Sequence, residues 1–222
     1  MVGNIAHICN RGVNKQIIFS NEKEYLRFLE TIYKSNNKNG GVRTRVKNFL
    51  DDPPPQDRIV EILKWSLLPN HYHLLVYEKV EGGIVEFTKR IGNSYTKYFN
   101  IKNDRSGYLF QNTAKMIRIE REPHFNYIPF YVELNPLDLF DEGWRTGRIK
   151  NPSGAIKFLT DYPWSSYTDY SGKNNFPMLI NKEIFFGEFE TNQKRYEKET
   201  LALIKDKNAS TWQVDAFDVL GK

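Results

Sequence analysis

The hydrophobic pattern divides the first 135 residues into short elements. Residues 4–10, Asn-Ile-Ala-His-Ile-Cys-Asn, read as a strand closed by a turn at Arg11-Gly12. Over 22–34 the period changes to that of a helix. Tyr25, Phe28, Leu29, Ile32 and Tyr33 fall on one face, and Asn21 and Glu24 have capping-box spacing. Residues 58–67 predict a second strand, Leu68-Pro69-Asn70 a turn, and His71 to Tyr77 a third strand, so the pair forms a hairpin. Residues 83–99 predict an amphipathic helix with Ile84, Phe87, Ile91, Tyr95 and Phe99 along one stripe. A turn at 103–107 leads into an extended stretch over 108–119. Pro123 opens a further helix running to about Asn135, which the interior Pro129 must kink or delay.

Strand, helix, strand, strand, helix, strand is the order of a split βαβ unit. The fold class that follows is α+β: a ferredoxin-like (RRM-like) antiparallel sheet with helices packed on one face. A short helix over 153–160 comes next. Lys182 to about Lys207 is charged and mainly helical with little core-forming pattern. The chain therefore divides into a unit over 1–171 and an appended helical tail over 172–222. Residues 35–57 form a polar loop insertion with Gly40-Gly41, Arg43, Arg45, Lys47 and three consecutive prolines. Its charges are either a solvated face or a phosphate-contact surface.

Composition narrows the class. In 222 residues, 40% are hydrophobic and 27% charged, which excludes a chain disordered throughout. No apolar run approaches the ~20 residues of a membrane helix. The opening residues lack a basic region followed by an apolar one, so no signal peptide is read and a cytoplasmic protein is expected. The single cysteine, Cys9, excludes an internal disulfide framework and any multi-cysteine zinc site; it reads as a small core residue. The net charge of +5 permits a polyanionic partner without specifying one. The 13 Tyr, 15 Phe and 4 Trp either fill a core or stack on unpaired bases.

Two groups of residues carry candidate chemistry. In His71-Tyr72-His73 the two imidazoles share a strand face, because side chains alternate. They are either two ligands of one divalent metal or two hydrogen-bonded histidines. In Tyr131-Val-Glu-Leu-Asn135, Tyr131 and Asn135 share a helix face. Asn135 can offer an amide oxygen to a metal, and Tyr131 a phenolic nucleophile. They also read as a core tyrosine and a helix-terminal asparagine before Pro136.

Five blocks in order resemble the single-tyrosine HUH transposases, in particular the REP-associated tyrosine transposase branch. They are His7-Ile-Cys-Asn-Arg-Gly12, Trp65-Ser-Leu-Leu-Pro-Asn-His-Tyr-His-Leu-Leu75, Gly107-Tyr-Leu-Phe-Gln111, Tyr131-Val-Glu-Leu-Asn-Pro136 and Trp164-Ser-Ser-Tyr167. They span roughly residues 5–170. The resemblance implies that His71, His73 and Asn135 bind Mg²⁺ or Mn²⁺. It implies that Tyr131 attacks a phosphodiester in hairpin-bearing single-stranded DNA, leaving a 5′-phosphotyrosine link and a free 3′-hydroxyl that can rejoin strands. A monomer or a homodimer is compatible with it. Arg11, Asn70, Arg43, Arg45 and Lys115 are candidate DNA contacts. For Arg11 and Asn70, simple exposure and turn chemistry are the competing readings. Trp164 and Tyr167 are base-stacking or core residues, His124 a surface residue at a helix start, and Tyr127 a rival nucleophile without an asparagine at i+4.

The chain departs from the family pattern in three places. Tyr72 stands between the histidines where the family usually has a hydrophobic residue, though its ring is still largely apolar. Glu133 could add negative charge near the metal. Gln111 is followed by Asn-Thr-Ala-Lys115 without the expected arginine. A different-class alternative is a domesticated, non-catalytic DNA-binding or regulatory protein. A rolling-circle initiator or relaxase shares the paired-histidine logic but not the block order.

Overall fold

The computed structural model describes residues 2–40, 49–50, 53–54, 56–119 and 124–205, with the His124 side chain excepted. Arg43 and Arg45 of the polar insertion, and Pro123, lie outside the described residues. Strand β1 (Ile5–Arg11) leads to helix α1 (Glu22–Ser35). The hairpin β2 (Val60–Leu68) and β3 (His71–Glu78) is followed by α2 (Gly83–Lys102) and the short β4 (Lys115–Arg118). The sheet order is β2-β3-β1-β4, and every neighbouring pair is antiparallel, as a ferredoxin-like sheet requires. Of the extended stretch expected over 108–119, only 115–118 pairs as a strand, apart from an isolated bridge between Phe110 and Gly12.

Helices α1 and α2 form where their apolar stripes demand. Asn21 caps α1 by accepting from the Glu24 backbone N–H. All five stripe residues of α1, and all five of α2, are buried. Both helices lie on the sheet face that carries Tyr72, whose ring meets Phe28 of α1 at 4.9 Å. Tyr72 is fully buried there, so the aromatic between the two histidines is a core side chain.

The opposite face is covered by α3 (His124–Leu134), which includes Pro129. The helix begins five residues before that proline, so its start is not delayed. Asn135–Leu139 and Glu142–Thr146 continue as 3₁₀ turns, followed by α4 (Pro152–Asp161) and α5 (Tyr167–Tyr170). Residues 164–166 lie along the outer edge of β2: Leu67 N–H donates to Trp164 O, and Ser166 N–H to Trp65 O. An exposed edge is thereby covered.

Helices α6 (Lys182–Glu188) and α7 (Gln193–Lys205) close the described chain. Here the expectation of little core-forming pattern fails. Phe185, Tyr196 and Ile204 are buried in the same cluster as the sheet. The break at 189–192 divides one irregular apolar pattern between two helices, and that hid it.

One irregularity sets which side chains face α3. Along β2, Ile62 pairs with Val76 but Lys64 pairs with Leu75, so a bulge lies between them. From Lys64 onward the alternation is inverted. Lys64 and Ser66 share a face with His73, whereas Trp65 and Leu67 face α1 and α2 with Tyr72.

Candidate active site

The register places the candidate residues on three adjacent strands. Cys9 lies opposite His73, and Arg11 opposite His71. His7, Cys9, His71 and His73 therefore point to the face beneath α3. A turn at Gly12 keeps the end of β1 against the hairpin: its N–H donates to Asn70 O, and a Cβ on it would meet Gln16 O at 2.4 Å.

Helix α3 lays Tyr131 across this face. Its ring stands edge-on to His7 at 5.7 Å and to His73 at 5.5 Å. Asn135, one helical turn on, donates from Nδ2 to Tyr131 O, and its Oδ1 accepts from Arg145 Nη2 at 3.2 Å. Arg145 is clamped by Asp138, its Nε donating to Oδ1 at 2.7 Å and its Nη2 to Oδ2. The Tyr131 phenol lies within hydrogen-bonding reach of both Arg145 and Asn135. Burial raises the phenol above its ordinary pKa, and these two contacts pull in the opposite direction. Tyr127 sits with its ring 6.2 Å from that of Tyr131.

The histidines are neutral imidazoles. Burial holds His71 and His7 down at about 3, and His73 well below its ordinary value. His71 Nδ1 lies 2.6 Å from Asn70 Oδ1, and Asn70 Nδ2 donates to Lys15 O. An amide oxygen only accepts, so the His71 proton is on Nδ1 and the lone pair is on Nε2. That Nε2 is buried and has no partner, as is Nε2 of His73. His73 Nδ1 meets His7 Nε2 at 2.9 Å, with one proton between them. His71 and His73 are 5.1 Å apart, centroid to centroid. The two buried, unpartnered Nε2 atoms of His71 and His73 are donors that a divalent ion could use. The phenol, the clamped guanidinium and this nitrogen pair are a set able to hold an anion and a cation side by side.

The structure thus brings together Tyr131, His73 and Asn135, with His71 beside His73. Arg11, Lys15, Asn70, His71 and Asp138 line an adjoining cleft of about 350 Å³. Lys115 is exposed at the β4 edge, opposite Cys9. Trp164 is half-buried, stacked on Tyr25 at 4.5 Å, and Tyr167 is buried; both serve packing.

Glu133 does not face the histidines. It is fully buried and paired with Lys64 at 3.2 Å, and it accepts hydrogen bonds from Ser166 and Tyr196. Its charge is spent inside the core. His7, Arg145 and Asp138 were not singled out by sequence reasoning. The signal for His7 was its i, i+2 spacing with Cys9 on a strand. Arg145 and Asp138 sit in irregular turns and carried none.

No protein-family model matches the chain, and no curated protein does. The solved structure of a REP-associated tyrosine transposase bound to a REP hairpin is similar over 82% of this chain and 87% of that one. The identity is 16% and the TM-score 0.47, a likeness that assigns no chemistry. Among the described residues, no helix is long and apolar enough to cross a membrane.

Proposed function

We propose that this chain is a metal-dependent nickase and strand-transferase of single-stranded, hairpin-bearing DNA, with Tyr131 as nucleophile. The observation that carries the reading is the Tyr131 ring seated across the imidazoles, its hydroxyl in reach of Arg145, beside two unpartnered histidine nitrogens. The ordered sequence blocks support the substrate class.

In this reading His71, His73 and Asn135 hold the ion, and Asn70 fixes the His71 proton on the far side of the ring. Mg²⁺ or Mn²⁺ held by these residues would polarise the scissile phosphate. The Tyr131 oxygen attacks phosphorus and gives up its proton to solvent admitted with the DNA. The bond from phosphorus to the 3′-oxygen breaks, and that oxygen leaves as a hydroxyl after gaining a proton. A 5′-phosphotyrosine remains. Arg145, beside the Tyr131 phenol, would stabilise the negative charge developing on the phosphate. Later attack by a 3′-hydroxyl releases Tyr131 and rejoins the strand, with the bond energy retained throughout. Arg11, Asn70 and Lys115 bind backbone phosphate along the cleft and the sheet edge, together with Arg43 and Arg45 of the insertion. Tyr131 is only 2% exposed, so DNA entry requires a movement that uncovers its hydroxyl while Asn135 and Arg145 stay beside it.

The test is a denaturing gel of the full chain with end-labelled single-stranded DNA from its own genomic flanks, with Mn²⁺ or with EDTA. A metal-dependent nick and a covalent protein–DNA band, both lost in Tyr131→Phe with the fold intact, are expected. Full cleavage by Tyr131→Phe would overturn the assignment. Binding without nick or adduct on any flank would favour a domesticated DNA-binding role.

A further inference from the structure

Beneath Tyr131 lies a second donor set, which shares only His73 with the proposed chemistry. His7 and Cys9 are two residues apart on β1, and His73 is opposite Cys9 on β3. One ring nitrogen from each histidine and the Cys9 sulfur all lie within 4.8 Å of one another. All three residues are buried. The nitrogens that face each other, His7 Nε2 and His73 Nδ1, are 2.9 Å apart and satisfied only by one another, so with the Cys9 sulfur the donors converge where a metal ion would take the place of that hydrogen bond.

We propose that His7, Cys9 and His73 form a second metal site, selective for Zn²⁺ and other soft divalent ions, whose occupation blocks the first. Two residues at i and i+2 of one strand and a third on its neighbour converge on a point above the sheet. Zinc–nitrogen bonds of ~2.0–2.1 Å and a zinc–sulfur bond of ~2.3 Å place tetrahedral donors about 3.3–3.6 Å apart. A closure of about 1 Å from the widest separation compatible with the cluster reaches that spacing. A thiolate selects zinc over Mg²⁺ or Mn²⁺, which prefer oxygen donors. Binding releases one proton, from the Cys9 thiol, which burial raises to about 11 in the metal-free protein.

The blocking follows from the proton inventory of imidazole, and it rests on the reading of His71 and His73 as ligands. A neutral ring has one proton and one available lone pair. When His73 gives that pair to zinc, its other nitrogen carries the proton and cannot serve the ion shared with His71. The two sites are therefore mutually exclusive even where two ions would not collide.

Co²⁺, which reports thiolate ligation directly, is titrated into the full chain. A near-ultraviolet sulfur-to-cobalt charge-transfer band is expected, absent in Cys9→Ala and in Cys9→Ser, with circular dichroism confirming that both variants fold. Cobalt binding to the wild type without that band overturns the site. In Mn²⁺-driven cleavage, zinc inhibits the wild type, and Cys9→Ala raises the inhibitory zinc concentration on the order of tenfold or more. Equal inhibition of both proteins overturns the mutual exclusion. A charge-transfer band in a protein that never cleaves DNA supports the zinc site and rejects the nickase reading instead.

Discussion

Replacing Lys64 by methionine is expected to destabilise the fold by about 3 kcal/mol. Lys64 and Glu133 are both fully buried, 3.2 Å apart, on the strand and the helix that meet beside Tyr131. The Lys64 ammonium also lies 2.9 Å from the Tyr170 ring centroid, 3.6 Å from that of Tyr196 and 4.1 Å from that of Phe185. Burial pulls its pKa well down, and the Glu133 carboxylate pulls it back. Methionine fills the aromatic cage with comparable volume, so packing loss is small and the stranded carboxylate sets the cost. Breaking a buried pair on one side costs about 3–5 kcal/mol. Glu133 keeps its bonds from Ser166 and Tyr196, which places the loss at the lower end. Against a total stability of about 5–15 kcal/mol, that is readily measured. Urea denaturation of wild type, Lys64→Met, and Lys64→Met with Glu133→Gln gives the three free energies. The double variant no longer buries a lone charge and should regain about 2 kcal/mol. A single variant within 1 kcal/mol of wild type, or a double variant no better than the single, would refute the account.

Two further predictions concern the site. Arg145→Gln should slow single-turnover cleavage by about 10²–10³, with Arg145→Lys in between, because the guanidinium reaches both the phenol and the developing charge; a rate within a few-fold of wild type contradicts this. Acid should destabilise the metal-free protein. His71 titrates near 6.5 when unfolded and about 3 when folded, so the unfolded chain binds more protons between these values and stability falls as pH drops through 6.5. At pH 5 the loss from His71 is about 2 kcal/mol, with His7 and His73 acting in the same direction. Thermal melts between pH 8 and pH 5 measure it; an unchanged midpoint would mean that these imidazoles are not buried as described.

Much of this architecture is legible from periodicity. The stripes on α1 and α2 and the hairpin at Pro69-Asn70 each depend on neighbours in sequence, and they came out within a few residues of their observed bounds. What was illegible depends on distant contacts. β4 is four residues long and exists because β1 offers it an edge. Phe185, Tyr196 and Ile204 look isolated among charges until the sheet beside α3 is in place. In the candidate site, Tyr131 and Asn135 are one helical turn apart and the two histidines share a strand, so pattern found them. His7 meets His73 across 66 positions of sequence, and Arg145 reaches Asn135 from an irregular turn. Glu133 shows the limit most plainly: its place beside Tyr131 suggested the metal, while its partner Lys64 is on a different element.

The bulge between Ile62 and Lys64 has a consequence for how this sequence can change. It works as a phase shift. Downstream of it, Lys64 meets Glu133 and Trp65 lies on the Tyr72 face; upstream, the same parity would send a lysine into a hydrocarbon interior and an indole against the histidines. Losing the one extra residue would exchange the two faces for the rest of the strand up to the hairpin that carries His71 and His73. The number of residues between Val60 and the turn at Pro69 is therefore under as tight a constraint as their chemistry, and tolerated length changes should come in twos.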